Sequence, residues 1–126
     1  METFTITEEA SAFGSGEAQC IRVCGYLDAG NIQQFEARIN EIVGDSAKNV
    51  IVDLEELEYI NSAGIGVLLN AWSALSQIEG SLQIANMPAS IRRIFDVLGF
   101  SKVITIADSL EGALANLDSG SVKGGS

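Results

Sequence analysis

Histidine is absent from this chain of 126 residues. Without an imidazole, the chain lacks the side chain that most often acts as a general base near neutral pH. The sequence also lacks the Gly-x-x-x-x-Gly-Lys-Ser/Thr loop that binds phosphates and the Gly-x-Ser-x-Gly turn that presents a nucleophilic serine. These absences argue against an enzyme, and we predict no catalytic residue and no cofactor.

Basic residues are scarce, because seven Lys and Arg stand against 17 Asp and Glu and give a net charge of −10. Proteins that bind DNA or RNA need cations to neutralise phosphates, and anionic membrane surfaces attract the same side chains. We therefore expect no nucleic-acid partner and no membrane partner. A basic protein partner would be favoured by complementary charge, although acidity also serves solubility alone.

Cysteine occurs only at Cys20 and Cys24. On one strand, four steps of about 3.3 Å would separate their Cα atoms by about 13 Å. A disulfide needs less than about 7 Å, and two thiols without histidine do not supply the four ligands of a zinc site. We predict two small buried residues on one face of a strand, and no metal site.

Long hydrophobic runs are missing too, since the longest falls far short of the roughly 18 residues of a membrane span. Residues 1–4 lack the basic and then apolar pattern of a signal peptide, so we expect a cytoplasmic protein. The length is that of one domain. We expect residues 1–117 to form it and the Gly/Ser-rich residues 118–126 to be disordered.

What the sequence does contain is a regular alternation of strand and helix patterns. This alternation is typical of an α/β fold, here with a mixed sheet of four to five strands and about four helices. Residues 8–16 are small and polar and are predicted to form a loop. The predicted strands are residues 3–7, 18–25, 50–54, 82–85 and 103–106, and the predicted helices are about 32–43, 63–79, 88–98 and 110–117.

The central stretch begins with Val50–Leu54, a β-branched apolar block typical of a strand buried on both faces. A polar, acidic connection follows, and apolar residues then recur at helical spacing from Ile65 to Leu75. Ser62 therefore lies where a helix begins, beyond the carboxyl end of a strand. In open α/β sheets, functional loops collect at that edge.

Two interpretations of Ser62 compete. A serine at this position often caps the helix, because its oxygen accepts one of the first unpaired N–H groups. Most serines at such a position are caps, but the position also suits a phosphoacceptor, since a phosphate of charge about −1.5 to −2 is tolerated at a helix N-terminus. Position alone does not choose between them.

The glycines that follow leave a second question open. Gly64 and Gly66 lie in the first turns of the predicted helix, where each lowers helix stability by roughly 1 kcal/mol relative to alanine. Either the helix start packs tightly on the sheet, or the glycines leave a flat surface for a partner to approach Ser62.

Several runs together carry a resemblance to a known family. Asn61–Leu68 (NSAGIGVL) resembles the signature of the STAS domain, and within it the bacterial anti-anti-sigma factors, which show Asp-Ser-Ser/Thr-Gly-Leu-Gly-Val after a strand that ends in a pair like Asp53-Leu54. Gly25–Asp28 resembles the family's Gly-Glu-Leu-Asp. Asn86–Phe95 resembles its strand followed by a proline-started helix, and Leu98–Phe100 resembles its Gly-Leu/Phe ending. The resemblance covers about residues 18 to 117.

The resemblance implies the STAS fold, with its helices mainly on one face of the sheet, and an anti-sigma factor antagonist function. The unphosphorylated form would bind an anti-sigma factor with serine kinase activity and release a sigma factor. Phosphorylation of Ser62 would end that binding, and a PP2C-type phosphatase would restore it. The partner-binding residues implied are Asp28, Asn61, Ser62, Ala63 and Gly64, and because this interface joins two different proteins we expect a monomer.

Three positions depart from the family pattern. Asn61 replaces the aspartate, Ala63 replaces the second serine or threonine, and Tyr26 replaces the glutamate. Without the aspartate, no carboxylate stands beside the acceptor, so its phosphorylation could differ from that of other members. These departures leave open a second hypothesis, a STAS scaffold or regulatory subunit without a phosphoswitch.

Overall fold

The computed structural model describes residues 4–13, 16–44 and 48–119, and these parts of the chain contain six strands and four α-helices. The predicted α/β alternation is confirmed. The strands are β1 (Phe4–Phe13), β2 (Gly16–Leu27), β3 (Asn49–Asp53), β4 (Leu57–Ile60), β5 (Ser81–Ala85) and β6 (Thr105–Ala107). The helices are α1 (Ile32–Gly44), α2 (Ser62–Gln77), α3 (Ala89–Leu98) and α4 (Leu110–Ser119), and a 3₁₀ turn spans Phe100–Lys102.

The sheet has the strand order β1-β2-β3-β5-β6, and β4 pairs with β2. Strands β2, β3, β5 and β6 are parallel, whereas β1 is antiparallel to β2. Helix α1 connects β2 to β3, α2 connects β4 to β5 and α3 connects β5 to β6, and all three connections run in the same direction along the sheet. Because such crossovers are right-handed, all three helices lie on one face, which confirms the predicted mixed sheet with helices mainly on one side.

The main core lies between this face and the three helices. Its largest fully buried side chains come from both layers, and their burial supplies most of the apolar area removed from water. Among them are Phe35 and Ile39 of α1, Leu68 and Leu75 of α2, Phe95 of α3, and Ile21 and Ile84 of the sheet.

Among the helices of the described residues, α4 is the one that packs on the opposite face, and the core there is built mainly from small residues. Ala18, Cys20 and Ile51 pack there against α4. The fully buried Gln83 on β5 donates from Nε2 to the Ala113 carbonyl oxygen at 2.8 Å, and its Oε1 accepts from Asn116 Nδ2 at 3.0 Å. These bonds satisfy a buried amide that would otherwise be destabilising, and they hold α4 to the sheet.

Two predicted segments, the loop at residues 8–16 and the tail from residue 118, differ from the structure. The loop is wrong for residues 8–13 and for Gly16, because β1 pairs with β2 without interruption from Phe4–Gly25 to Phe13–Gly16. Backbone pairing along the whole length outweighs the polar side chains that suggested a loop. Residues 14–15 lie outside the described residues. Helix α4 continues to Ser119, so the tail predicted from residue 118 begins inside a helix, and residues 120–126 also lie outside the described residues.

Cys20 and Cys24 are both thiols on β2, as predicted, but only Cys20 is buried. Cys24 is partly exposed and its Sγ donates to Glu56 Oε2 at 3.2 Å. Partial burial, and secondarily this bond to Glu56, raise the pKa of the Cys24 thiol.

None of the helices in the described ranges combines the length and the apolar character needed to span a bilayer.

Candidate functional site

Two loops leave the sheet side by side at the carboxyl ends of β2 and β4. Leu27 and Ile60, the last residues of these parallel strands, are register partners. The Asn61 N–H donates to the Leu27 carbonyl oxygen at 3.0 Å. The structure thus brings Asp28, which follows Leu27, next to the start of α2, so all five residues proposed from the sequence lie in one region.

Strand β4 is the element that positions this region, and the sequence prediction missed it. The predicted acidic connection after β3 is in fact a strand at Leu57–Ile60, which extends the pairing of β3 along the second half of β2. A β-bulge lies in this pairing, and Leu57 and Ile60 are buried whereas Glu58 and Tyr59 are exposed. Two consecutive exposed residues break the alternation expected of a strand, which hides β4 in the sequence.

Asn61, not Ser62, caps α2. Its backbone is extended, with φ −88° and ψ 174°, and its Oδ1 accepts from the Gly64 N–H at 2.8 Å. Its carbonyl oxygen accepts from the Ile65 N–H at 3.2 Å. This is the geometry of an N-cap, which stabilises a helix by about 1 kcal/mol, and the interpretation of Ser62 as the cap is therefore wrong.

Ser62 is the first residue of α2 and is exposed, as is Ala63. Among the described residues, none forms a hydrogen bond with the Ser62 hydroxyl. The hydroxyl is therefore accessible and is not required for the local structure. It also lies in the turn where the positive end of the helix dipole favours an anion.

The two glycines of α2 have different surroundings. A Cβ on Gly64 would lie 2.7 Å from Ile60 Cγ1 and 3.4 Å from Asn61 Oδ1, so tight packing explains this glycine. A Cβ on Gly66 would meet no described atom within 4 Å. Packing does not account for Gly66, and the interpretation that remains for it is a surface that a partner approaches closely.

The Asp28 loop is held by its own hydrogen bonds. Asp28 Oδ1 accepts from the Gly30 N–H at 2.9 Å, and the Asp28 N–H donates to Asn31 Oδ1 at 3.0 Å. The buried Asn31 amide also donates to the Tyr26 carbonyl oxygen at 2.7 Å. These bonds order the loop before any partner binds, which lowers the conformational entropy lost on association.

The buried carboxylate of Asp53 stabilises this region through its hydrogen bonds. Asp53 Oδ1 at the end of β3 accepts from the Glu55 N–H at 3.0 Å and from Asn86 Nδ2 at 3.3 Å, and its Oδ2 lies 3.4 Å from the Arg22 guanidinium. It joins the turn into β4 to the end of β5. In the described parts of the chain, no group of three or more His, Cys, Asp or Glu side chains is placed to hold a metal ion.

Comparison with known proteins gives two sequence matches. The STAS domain family model matches residues 11–113. BtrV of Bordetella bronchiseptica, a protein named an anti-sigma factor antagonist, is 33% identical over 91 residues, which is 72% of this chain and 78% of BtrV. The family match spans the whole region from β2 to α3.

Solved structures show the same fold. An anti-sigma factor antagonist from Mycobacterium paratuberculosis matches with a TM-score of 0.75 at 23% identity, covering 88% of this chain and 92% of that one. The anti-sigma factor antagonist SpoIIAA in its unphosphorylated form matches with 0.71 at 20% identity, over 90% and 97%. The Bacillus SpoIIAA in its phosphorylated form matches with 0.65 at 21% identity, over 88% and 99%. This chain belongs to the STAS domain family, and within that family it is similar to the bacterial anti-sigma factor antagonists.

Proposed function

We propose that this chain is an anti-sigma factor antagonist that is switched by phosphorylation of Ser62. In its unphosphorylated form it binds an anti-sigma factor with serine kinase activity, and the sigma factor held by that protein is released. Phosphorylation by the same kinase ends the binding. A PP2C-type phosphatase removes the phosphate and restores the active form.

The division of roles between Asn61 and Ser62 is the observation that carries this proposal. Asn61 satisfies the helix N-terminus at 2.8 Å, so the Ser62 hydroxyl is left exposed and without a structural task. A phosphorylated cap would have to abandon its bond to the helix, whereas Ser62 can be modified while α2 stays intact. The fold therefore supports a reversible modification that changes the surface and not the structure.

Charge and desolvation explain how such a modification would stop binding. The phosphate adds a charge of about −1.5 to −2 to an exposed position that the ordered Asp28 loop flanks. A partner that packs over Ser62 would have to remove this charge from water, and an unpaired buried charge destabilises a complex by several kcal/mol. The open space beside Gly66 supports close packing of that kind.

The names of similar proteins support the same reading. BtrV carries the name of an anti-sigma factor antagonist, and the SpoIIAA structures represent an unphosphorylated and a phosphorylated form of one such protein. In our proposal the kinase supplies the ATP and magnesium, and this chain acts as a monomer in the cytoplasm. Asp28, Asn61, Ala63 and Gly64 shape the surface that the kinase contacts.

A second candidate function is a STAS scaffold or regulatory subunit without a phosphoswitch. The neutral Asn61 and the methyl group of Ala63 favour it, because they replace the acidic and hydroxyl side chains of the family pattern. In that case, Ser62 would stay unmodified under every growth condition.

Binding to the kinase of the native host tests the proposal. We expect Ser62→Asp to weaken binding at least about 100-fold, because a loss of several kcal/mol corresponds to two or more powers of ten. Ser62→Ala should bind as tightly as the wild type. Ser109→Asp, which places the same charge at the start of α4, is the control and should leave binding unchanged. Equal affinity of Ser62→Asp and the wild type would contradict the mechanism.

A further inference from the structure

Two tyrosines stand side by side on the sheet face next to this site. Tyr26 of β2 and Tyr59 of β4 are register partners, and they are 47% and 49% exposed. Their neighbours Leu27 and Ile60 point into the main core. The two rings therefore lie on the other face of the sheet, on neighbouring strands about 4.8 Å apart.

Helix α4 leaves this part of the sheet open. It packs over Ala18 and Cys20 in the first half of β2, whereas Tyr26 lies near the end of that strand. An open cavity of about 530 Å³ lies beside Tyr26, and its walls include Cys24, Glu56 and Glu58. Large aromatic side chains on an open face typically mark an interaction surface.

The β-bulge in the pairing of β2 and β4 builds this surface. Without it, regular alternation would turn either Glu58 or Tyr59 toward the core. The bulge keeps Leu57 and Ile60 buried and exposes both residues between them. Bulges often redirect side chains near functional sites, and this one places an aromatic ring next to Tyr26 and a carboxylate beside it.

The charges around the tyrosines select one class of ligand. Glu56 and Glu58 are exposed carboxylates, and the faces of both aromatic rings carry negative electrostatic potential. Arg22, the one cationic residue of β2, is engaged with the buried Asp53. A cationic side chain is thus attracted by two carboxylates and two ring faces, whereas an anionic one is repelled.

We propose that Tyr26, Tyr59, Glu56 and Glu58 form a docking subsite for an arginine or lysine side chain of the protein partner. This inference rests on the proposed function, since it describes the partner that binds at Ser62. The two surfaces are continuous, because Tyr26 and Tyr59 each precede by two residues a member of the site, Asp28 and Asn61. Tyr26 stands where the family pattern has glutamate, and it adds an aromatic face beside the carboxylates of Glu56 and Glu58.

A peptide titration of the full chain, followed by NMR, tests the subsite without the partner. The probe is acetyl-Gly-Arg-Gly-amide, and the control is the same peptide with citrulline, which keeps the shape of arginine but has no charge. We expect the arginine peptide, but not the citrulline peptide, to shift the Tyr26 and Tyr59 NMR signals in a saturable way. The double variant Tyr26→Leu/Tyr59→Leu should bind it at least about fivefold more weakly, because each cation–π contact contributes about two- to fivefold.

Matched variants make the result specific. Tyr26→Phe/Tyr59→Phe retains the ring faces and should stay within about twofold of the wild type. Ser109→Asp, which adds a negative charge at the start of α4, should also bind the peptide normally and serves as the charge control. If the arginine peptide moves neither tyrosine signal at its highest soluble concentration, or if citrulline moves them equally, the proposal is wrong whether or not Ser62 is phosphorylated. A dimer in sedimentation that Tyr26→Leu abolishes would assign the surface to a second copy and would also overturn it.

Discussion

Helices α2 and α4 each have an Asx-Ser pair at their start, Asn61-Ser62 in α2 and Asp108-Ser109 in α4. A different member of the pair caps each helix. In α2, the asparagine of Asn61-Ser62 accepts the N–H of Gly64, three residues on, at 2.8 Å. In α4, the serine of Asp108-Ser109 accepts the N–H of Gly112, again three residues on, at 3.0 Å. Both helices are thus capped, but by the first residue of the pair in α2 and by the second in α4.

This difference of one position decides what each serine is available for. Ser109 is partly buried and its oxygen already accepts a backbone N–H. Ser62 lies inside the first turn, is exposed, and leaves capping to its neighbour. An Asx-Ser pair before a helix is therefore not one motif, and the residue that caps has to be known before the serine can be assigned a role.

The largest effect on stability is expected at one of the two glycines whose N–H groups bond to the caps, Gly64 and Gly112. Gly64→Ala should lower the free energy of unfolding by about 1–3 kcal/mol, because the new Cβ would lie 2.7 Å from Ile60 Cγ1 and would overpack a buried contact. Gly112→Ala should cause a smaller loss, since its tightest contact would be 3.3 Å to Ser109 Oγ, which has to shift by only a few tenths of an ångström. Urea denaturation of both variants measures this, and an equal loss would contradict the comparison.

Removal of either cap by substitution with alanine should have the next largest effect on stability. Asn61→Ala and Ser109→Ala should each lower the free energy of unfolding by about 1 kcal/mol, because each leaves an N–H at a helix start without its acceptor. Asn61→Asp should keep the cap and serves as the control, since a carboxylate also accepts this bond. Thermal unfolding would contradict the assignment if Asn61→Ala were as stable as the wild type.

Much of this architecture follows from the sequence, because burial patterns determine strands and helices. The ranges of the buried strands β3 and β5 and of the helices α1 and α2 were predicted to within two residues. Strand β4 was not, since a bulge removes the alternation on which strand prediction depends. In α3, whose range was predicted, Ile91 and Phe95 are buried, but Ile94 and Leu98 are 37% and 49% exposed.

The five residues predicted for the site lie in one region of the structure, but the sequence did not show which of them caps the helix. Asparagine and serine are both good caps, so only the backbone shows which one accepts the Gly64 N–H. Likewise, Gly64 and Gly66 have the same helix propensity, and only the position of Ile60 shows that one of them is required for packing. Such distinctions depend on neighbours that are not adjacent in the sequence.

Substitution of Gly66 should have a smaller effect on stability than removal of a cap, and of the opposite sign. Gly66→Ala should raise the free energy of unfolding by about 0.5–1 kcal/mol, because alanine favours the helix and its Cβ meets open space. If a partner packs closely here, the same variant should bind the kinase more weakly. Higher stability with unchanged kinase binding would remove Gly66 from the proposed interface, while the role of Gly64 would stand.

The smallest effect on stability is expected at Ser62. Ser62→Ala should change the free energy of unfolding by less than about 0.5 kcal/mol, as is usual for exposed positions without a structural bond. Its matched partner, Ser109→Ala, should be clearly less stable in the same urea titration. A loss of about 1 kcal/mol for Ser62→Ala would mean that the hydroxyl has a structural role after all.

The central claim, that Ser62 is free to be phosphorylated because Asn61 caps the helix, is tested most directly by mass spectrometry. The protein is purified from its native host, with and without phosphatase treatment, and its peptides are mapped. We predict a phosphatase-sensitive gain of about 80 Da, the mass of one phosphoryl group, located on Ser62 and absent from the Ser62→Ala variant. Unmodified protein under every growth condition, or a phosphate on Ser109 instead, would contradict the account.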